Sequence, residues 1–379
     1  MATVYKAFSQ DQYTVTYEVR PEEDGLRLDR FLQQYLPTFS RQALQKKIDL
    51  GEVQCATRAC VAGRKVRTGE RFTITSKRGQ QEVETWGDQT LPLESPQIIY
   101  EDQNLLAINK PPYMATHPAG KHLFYCATVY FGDLLQQTIH SIHRLDRETS
   151  GVLLLGKNAT TAAKIAGYFE QGLIRKCYFF IAHRLAGAPG EKYFTAHERL
   201  QMGGNEEDAS GKNRRQIKVT ILPPDAKEGK TACTDFVLFD LDQIAPKNKL
   251  ASPSYALGLA FPRTGRQHQI RAHAAAHHLP LVGDKIYHLG RAVFERFKDG
   301  IATDADRTAM ELPRHALHAL ALQIPYPDPI AKLLQAPLPQ DIKEWLQNKL
   351  HVDHDALTKI ITQEIKRHFA RPKDAPPLR

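Results

Sequence analysis

The stretch HRLDRETSG, residues 143–151, places one carboxylate between two arginines, and the apolar run VLLLGK, residues 152–157, follows it directly. The run is typical of a buried strand, so we expect the polar stretch at the entrance of that strand, where functional groups often lie. Asp146 comes two residues after Arg144 and directly before Arg147. Residues two apart share a face of an extended chain, so an Arg144–Asp146 ion pair in a turn is one interpretation. The other is that a nearby guanidinium keeps Asp146 ionised for chemistry, and the spacing alone does not decide between them.

The chain is basic, and its positive charge is concentrated towards the N-terminus. Its 379 residues carry a net charge of +9, and 42% of them are hydrophobic, which suits two or three domains with buried cores. Residues 40–80 contain ten Lys and Arg but three Asp and Glu. Such a cluster favours a nucleic-acid partner over a diffuse surface charge.

This basic region is predicted to form a small module of two helices and a hairpin. The apolar residues of segment 28–36 follow the i, i+3, i+4, i+7 spacing of an amphipathic helix. We expect Pro37 to end this helix, and Ser40 to cap a second one that Gly51 ends. The basic residues that we expect to contact nucleic acid here are Arg41, Lys46, Lys47, Arg64 and Lys65.

The character of the sequence changes at residue 97, after a polar stretch with two prolines. From there strand-like segments outnumber helical ones, and no regular βαβ alternation occurs. This pattern predicts an α+β fold with a mixed, mostly antiparallel sheet. Near the C-terminus, apolar residues at helical spacing between residues 357 and 369 predict a further helix.

A second polar cluster lies in PRTGRQHQIRAHAAAHHLPLVGDKIY, residues 262–287. Its three arginines within nine positions suit phosphate binding or carboxylate pairing. His273 and His277 have the i, i+4 spacing that metal sites use, but no glutamate of an HExxH motif separates them and no cysteine is near. We therefore favour histidines that face solvent or nucleic acid, and expect no metal. No phosphate-binding glycine loop and no GxSxG motif occurs in the chain.

The cysteines and the apolar segments predict the compartment. The five cysteines show neither paired metal spacing nor a CxxC motif, which is typical of reduced thiols. The N-terminus lacks an apolar signal core, and no apolar run is long enough to cross a bilayer. We expect a cytoplasmic protein that does not enter a membrane.

A family resemblance goes further than these arguments. The stretch HRLDRETSGVLLLGK resembles the central signature of the RluA-type RNA pseudouridine synthases, and further blocks of that family occur before and after it in the order typical of the family. These blocks read IIYEDQNLLAINKPPYMATHP (98–118), RKCYFFIA (175–182), GKTACTDF (229–236), the arginine-rich segment 262–287 and RHALHALAL (314–322). Separately, GLRLDRFLQQYLPTFSRQALQKKIDLGEV (25–53) is similar to an S4 RNA-binding domain. The resemblance covers residues 24–327.

The resemblance implies a division of the chain into five parts. These are an N-terminal extension (1–20), an S4-like RNA-binding domain (21–80), a linker (81–96), a pseudouridine synthase catalytic domain (97–330) and a C-terminal helical extension (331–379).

The resemblance also implies roles for single residues. Asp146 would be the catalytic aspartate, either attacking the ribose C1′ or assisting formation of a glycal intermediate. Tyr178 would stack on the target base, Arg271 would pair with Asp146, and Arg144 would help to displace the base. We expect Arg266 and His268 to contact the RNA.

The implied reaction isomerises uridine to pseudouridine in structured RNA and needs neither a cofactor nor a metal. Ribosomal RNA of the large subunit is the favoured substrate, with transfer RNA as the nearest alternative. A non-catalytic RNA-binding or ribosome-assembly factor that retains the fold is a further alternative. We expect a monomer without an obligate protein partner.

Overall fold

The structure, a computed structural model, describes residues 3–8, 12–36, 41–77, 84–118, 122, 124–203, 205–207, 213–215, 218–245, 254–298, 300–327 and 331–372. It divides into two compact units, one of residues 1–83 with 115–139 and the other of residues 84–114 with 140–379. The first unit therefore includes a segment that the resemblance places within the catalytic domain. The five-part division of the chain stays a prediction.

The first unit contains a four-stranded antiparallel sheet in the order β1-β2-β4-β3. Its elements are β1 (Thr3–Phe8), β2 (Gln12–Glu18), α1 (Leu28–Tyr35), α2 (Arg41–Asp49), β3 (Val53–Cys55), β4 (Arg71–Lys77) and α3 (Ala127–Leu135). The two predicted helices are confirmed as α1 and α2, and Gly51 follows α2 with a positive φ of 72°. The predicted helix signals Pro37 and Ser40 lie outside the described residues.

Residues from the predicted N-terminal extension are part of this sheet. Strand β2 pairs with β4 along its whole length, from Gln12 opposite Lys77 to Glu18 opposite Arg71. Val15 and Tyr17 of β2 are buried in the same apolar core as Phe31 of α1. Thr16, on the opposite face of β2, is buried as well. Because polar residues alternate with Val15 and Tyr17, no apolar run marks this strand in the sequence.

The second unit is built on a ten-stranded sheet in which one pairing, β10 with β19, is parallel and the other named pairings are antiparallel. The main order is β12-β17-β18-β11-β19-β10-β8-β7, with β9 on β10 and β20 on β19. Its strands are β7 (Gln97–Glu101), β8 (Leu105–Lys110), β9 (His140–Ser141), β10 (Ser150–Gly156), β11 (Arg175–His183), β12 (Tyr193–Ala196), β17 (Thr234–Leu238), β18 (Tyr255–Pro262), β19 (Leu317–Pro325) and β20 (Ala331–Gln335). The predicted α+β class with a mixed, mostly antiparallel sheet is confirmed.

Smaller hairpins and seven helices complete the described part of the second unit. The hairpin strands are β5 (Glu84–Trp86) with β6 (Gln89–Leu91), β13 (Arg199–Gln201) with β16 (Thr220–Leu222), and β14 (Asn205–Glu207) with β15 (Asn213–Arg215). The helices are α4 (Ala159–Glu170), α5 (Leu241–Ile244), α6 (Gln269–Ala276), α7 (Arg291–Lys298), α8 (Asp304–Met310), α9 (Gln340–Leu350) and α10 (His354–Phe369). Part of the predicted linker thus forms a hairpin, and the predicted C-terminal helical extension begins with a strand of the sheet. None of the helices in the described ranges is both long enough and apolar enough to span a bilayer.

The two faces of β11 are covered by different helices. Cys177 and Phe179 pack in one apolar core with residues of α9 and α10, whereas Phe180 packs in another with Ile270 of α6. This alternation follows from the two-residue period of a strand. Because Tyr178 has the same parity as Phe180, it faces the side of the sheet on which α6 lies.

Two glycines allow close backbone contacts at the strand ends near the polar cluster. Gly151 has a φ of 109°, and a Cβ there would lie 2.1 Å from the carbonyl oxygen of Ala319. Gly283 has a φ of 74°, and a Cβ there would lie 1.9 Å from the carbonyl oxygen of Arg314. Both positions therefore require glycine, and they fix the loops that carry Asp146 and Asp284.

Candidate active site

The loop that carries Asp146 is attached to the sheet on both sides. The Nε2 atom of His143 accepts a hydrogen bond from the backbone N–H of Leu154, at 3.0 Å. Burial lowers the pKa of His143 to about 3, so the ring is neutral and remains an acceptor. On the other side, the Thr149 backbone N–H donates to the Asp146 carbonyl at 3.0 Å, and the Thr149 hydroxyl lies 2.8 Å from Nε2 of His315. The stretch 143–151 is therefore a braced loop at the start of β10.

Asp146 is paired with a distant arginine and not with its sequence neighbours. Nη1 of Arg271 donates to Oδ2 of Asp146 at 3.1 Å, across 125 positions of the chain. The ion pair implied by the family resemblance is therefore present. The local alternative, a pair between Arg144 and Asp146, is absent from the ion pairs of the described residues.

Arg271 is held from behind by a second carboxylate, Asp284. The Nε and Nη2 atoms of Arg271 donate to the two oxygens of Asp284 at 2.7 and 2.9 Å. Asp284 also accepts the backbone N–H groups of Ile286 and Tyr287, at 2.9 and 3.0 Å. Bidentate pairs of this kind orient a guanidinium as well as stabilise it, so Arg271 is presented to Asp146 in a fixed direction.

This arrangement favours the ionised form of Asp146. Burial by itself would raise the pKa of Asp146, but the positive charges of His268 and Arg271 lower it below the ordinary value. Burial lowers the pKa of His268 to about 4, so this ring is neutral near pH 7 and Arg271 is the cation that acts there. Asp146 is therefore a carboxylate at neutral pH, which suits a nucleophile or a stabiliser of positive charge and not a general acid.

His268 and Tyr287 pack beside the ion pair between Asp146 and Arg271. The His268 backbone is left-handed, with a φ of 54°, and its Nε2 lies 3.8 Å from Oδ2 of Asp146. Its Nδ1 lies 3.2 Å from the hydroxyl of Tyr287, which accepts the Val219 backbone N–H at 3.0 Å. The Arg271 guanidinium lies over the Tyr287 ring, 5.3 Å from its centroid, a contact that further stabilises the buried cation.

Asp146 opens into a cavity of about 460 Å³. The cavity is lined by the loop 143–149, the start of β11, the segment 262–271 and the end of α4. Tyr178 lies in its wall, and burial raises the pKa of the phenol, with the charge of Asp146 as the second cause. The hydroxyl of Tyr178 has no hydrogen-bond partner among the residues that the structure describes. The cavity falls in the range of sites for small organic groups, and a nucleobase is such a group.

The remaining arginines of the two polar clusters differ in their exposure and in the partners of their side chains. Arg144 is exposed at the rim of the cavity and forms no ion pair within the described ranges. Arg266 is also exposed at the rim, where its Nε donates to the carbonyl of Thr231 at 3.0 Å. Arg147 pairs with Glu84 and lies over the ring of Tyr113.

The basic residues of the first unit also divide into exposed and engaged groups. Lys46 and Lys65 are exposed, and neither forms an ion pair with a described residue. Lys47 pairs with Glu52. Arg41 donates to the fully buried Asp29 at 2.8 Å, and Arg64 pairs with Glu70 at 2.7 Å with its side chain 15% exposed. Arg41 and Arg64 thus have structural contacts in addition to any contact with RNA.

The two histidines with metal-like spacing have other partners. The Nδ1 atom of His273 lies 2.9 Å from the hydroxyl of Thr234, and its Nε2 lies 3.1 Å from the carbonyl of Glu198. His277 lies 3.0 Å from a carboxylate oxygen of Glu198. Across the described part of the chain, no group of three or more His, Cys, Asp or Glu side chains is arranged to hold a metal ion.

Three residues of the site had no role in the sequence analysis. Asp284 and Tyr287 lie in the arginine-rich block 262–287. Gly283, directly before Asp284, was the local feature that could have indicated a fixed loop there. Lys176 lies two residues before Tyr178 on β11 and lines the same cavity, which the two-residue period of a strand predicts. Its Nζ donates to the Thr264 carbonyl at 2.7 Å, and burial lowers its pKa to about 8.

Comparisons with known proteins find similar sequences and structures. Residues 104–276 match the RNA pseudouridylate synthase family. The ribosomal large subunit pseudouridine synthase C of Rickettsia prowazekii is 28% identical over 270 residues, which is 69% of this chain and 82% of that protein. The ribosomal large subunit pseudouridine synthase D of Vibrio parahaemolyticus is 27% identical over 329 residues, 83% of this chain and 88% of that protein. Among solved structures, human RNA pseudouridylate synthase domain containing 4 matches 68% of this chain and 94% of its own, at 22% identity and a TM-score of 0.49.

The matched residues contain Asp146, Tyr178 and Arg271, the three positions that converge on the cavity and its ion pair. The matched segment ends at the last residue of α6, so Asp284 and the C-terminal helices lie beyond it. The segment that carries the cavity is therefore similar to the RNA pseudouridylate synthase family and to ribosomal large subunit pseudouridine synthases.

Proposed function

We propose that this protein isomerises uridine to pseudouridine in structured RNA, with ribosomal RNA of the large subunit as its substrate. The observation that carries the proposal is an ionised Asp146 in the wall of a cavity of nucleobase size, within a domain of the RNA pseudouridine synthase family. The relatives named above as ribosomal large subunit pseudouridine synthases C and D support the choice of substrate.

The reaction breaks the C1′–N1 bond, turns the uracil and joins C1′ to C5. The proton on C5 is lost and N1 gains one, so the reaction is an isomerisation without net oxidation or reduction. Asp146 either attacks C1′ or assists formation of a glycal by taking a proton from the ribose. Both routes need a carboxylate and not a carboxylic acid, which the pair with Arg271 supplies.

The target uracil has to leave its stack to reach Asp146. Extruding a base from a helix costs a few kcal/mol, which stacking and phosphate contacts have to offset. We propose that the exposed Arg144 helps to displace the base and that Tyr178 stacks on it within the cavity. Arg266 and His268 also line the cavity, and are then placed to contact the neighbouring nucleotide or the base edge.

The N-terminal helices and hairpin are proposed to act as an S4-like RNA-binding domain. The exposed Lys46 and Lys65, together with Arg41, Lys47 and Arg64, provide the positive charge. The double variant Lys46→Gln/Lys65→Gln should weaken RNA binding and flatten its salt dependence, since each lost phosphate contact reduces the number of released counterions. An unchanged affinity and salt slope would contradict this role.

The proposed substrate implies a cytoplasmic location, and we propose that a single chain suffices. All the residues that line the cavity come from one chain and from one of its two units. Light scattering of the active protein tests this, since a stable dimer as the active form would contradict it.

The decisive assay measures release of tritium from RNA labelled at uridine C5, using large-subunit ribosomal RNA and transfer RNA transcripts in parallel. We expect release from the ribosomal RNA by the wild-type protein, with and without EDTA, and none by Asp146→Ala. Release that survives the substitution would contradict the mechanism. Loss of release with EDTA would indicate a metal, and release from transfer RNA alone would replace the proposed substrate.

A further inference from the structure

The last turn of α10 and the residues after it form a basic segment outside the matched family region. Lys366 and Arg367 are exposed, and Arg371 follows them in a partly exposed position. The side chain of Lys366 has no hydrogen bond or ion pair with any described residue. Arg367 lies over the ring of Tyr193, 4.9 Å from its centroid.

This end of α10 is attached to the sheet at a defined place. The guanidinium of Arg175, the first residue of β11, donates to the carbonyls of His368 and Arg371 at 3.2 and 2.5 Å. The ring of His368 stacks on Phe261 of β18, with 3.8 Å between the ring centroids. The C-terminal end of the helix is therefore held against the start of β11 and the end of β18.

The start of β11 and the end of β18 also contribute residues to the wall of the cavity. Lys176, directly after Arg175, and the residues that follow Phe261 all line it. Arg263, in this wall, donates to both oxygens of Asp235 at 2.8 and 3.2 Å, and His368 lies 3.7 Å from the same carboxylate. One carboxylate thus contacts both the wall of the cavity and the helix end. Although α10 and the cavity lie on opposite faces of β11, the two basic surfaces therefore flank the same strand ends.

The acids that contact these segments leave the charge of the rim positive. Asp235 is buried and already paired with Arg263. Glu364 is buried, pairs with Lys192 at 2.6 Å and accepts the Tyr193 hydroxyl at 3.1 Å. Glu170, at the end of α4, is an exposed acid in the cavity lining. The exposed basic residues along this edge of the sheet outnumber it, and they are Arg144, Arg263, Arg266, Lys366 and Arg367.

We propose that the C-terminal end of α10, with Lys366 as its exposed cation and Arg371 beside it, binds the phosphate backbone of the RNA next to the nucleotide that enters the cavity. This inference rests on the proposed function, which it deepens by assigning a second RNA contact to the same site. A lysine is suited to this task, because a flexible ammonium contacts phosphate without selecting a base.

The helix dipole does not account for Lys366. Cations in a last turn stabilise a helix by interacting with its unpaired carbonyls. In α10, however, Arg175 already donates to two carbonyls at this end. The ammonium of Lys366 is therefore not needed to cap the helix.

The chain provides a matched control on the same helix. Lys359 is exposed and lies seven residues before Lys366. At a rise of about 1.5 Å per residue, it lies roughly 10 Å further from the docked end. This separation exceeds the screening length of about 8 Å at physiological salt, so a phosphate bound at Lys366 is largely screened from Lys359.

The test uses the full-length protein and a large-subunit ribosomal RNA transcript, and it measures the dissociation constant over a series of salt concentrations. For Lys366→Gln we expect a dissociation constant raised about threefold to tenfold and a salt slope lower by about 0.7 to 0.9, as for one lost phosphate contact. For Lys359→Gln we expect values equal to those of the wild type, and for Lys366→Arg near-recovery. The turnover rate at saturating RNA should be unchanged in all three variants.

Two outcomes overturn the proposal. Equal losses in the two glutamine variants would show a general charge effect, and no loss in Lys366→Gln would show that the RNA does not reach the helix. In either case, turnover by the wild-type protein on the same RNA keeps the proposed function intact. Absence of turnover by the wild type on any RNA would instead contradict the proposed function itself.

Discussion

Arg271 lies between two aspartates that differ in burial and in the number of hydrogen bonds they accept. Asp284, on the inner side, is fully buried and accepts four hydrogen bonds, two from Arg271 and two from backbone N–H groups. Asp146, on the cavity side, has a side chain 23% exposed and a single hydrogen bond from Arg271. In both, the charge of Arg271 opposes the effect of burial and lowers the pKa of the carboxyl group.

The difference shows how one guanidinium serves structure and chemistry at once. A buried carboxylate that accepts four hydrogen bonds is stable but is not available to a substrate. A carboxylate with one fixed partner stays ionised and keeps the rest of its lone pairs free for a reacting atom. We therefore expect the substitution at Asp146 to act on turnover alone and the equivalent substitution at Asp284 to act mainly on stability.

The largest expected effect is on turnover in Asp146→Asn. The amide is nearly isosteric but cannot act as a carboxylate, so we expect tritium release to fall more than about a thousandfold, as on loss of a nucleophile. The free energy of unfolding should change little, because Asp146 is partly exposed and has one partner. Chemical denaturation and single-turnover assays on the same preparation measure both, and a large loss of stability would remove the distinction between the two aspartates.

The matched substitution Asp284→Asn should act mainly on stability. Removing one charge of a buried ion pair typically lowers the free energy of unfolding by about 3–5 kcal/mol, and denaturant titration measures this. Turnover should fall as well, since Arg271 loses the bidentate partner that directs it towards Asp146. A variant as stable as the wild type would show that the backbone N–H groups alone hold this loop.

A smaller effect is expected for Arg144→Gln, which changes the cavity rim but neither aspartate. We expect the catalytic efficiency to fall about tenfold to a hundredfold, within the range of losing one positioning contact. Stability should be unchanged, because Arg144 is exposed and has no ion pair among the described residues. The substitution Arg199→Gln is a suitable control, since this residue bonds the backbone of Glu228 and Gly229 and does not line the cavity. Equal effects of the two substitutions on catalysis would contradict the role of Arg144.

The smallest expected effect is in the pH profile. The pKa of Asp146 is depressed in the folded protein, so its ionised form is lost only as the pH falls through that lowered value, and His268 with a pKa of about 4 is neutral above it. The catalytic efficiency should therefore be flat from about pH 7 down to about pH 5. On the alkaline side, Lys176 loses its charge as the pH rises through about 8, which should weaken RNA binding there.

The substitution Lys176→Arg sharpens this prediction, because a guanidinium stays charged at these pH values. It should remove the alkaline decrease in RNA binding and leave the acid side as it is. A profile that falls between about pH 7 and about pH 5 would indicate that Asp146 is less strongly paired in solution than its contact with Arg271 implies.

Much of the fold was predictable from short-range patterns. The helices α1, α2 and α10 follow from apolar residues at helical spacing, and β7 and β8 follow from two apolar runs around a polar turn. These features depend on residues within a few positions of each other, which is why periodicity detects them. Strand β2 and the hairpin of residues 84–91 were missed because polar residues predominate in both sequences.

The sequence by itself determined that Asp146 is the carboxylate of interest, that basic residues cluster in segment 40–80, and that the motif order resembles one family of RNA-modifying enzymes. The tertiary structure decided which arginine pairs with Asp146 and which acid holds that arginine. It also decided that the end of α10 is held against β11 and β18, the strands whose ends line the cavity. The physical reason is range, because local spacing sets helices, strands and turns, whereas the pairing of Asp146 with Arg271 depends on a sheet that brings together residues 125 positions apart.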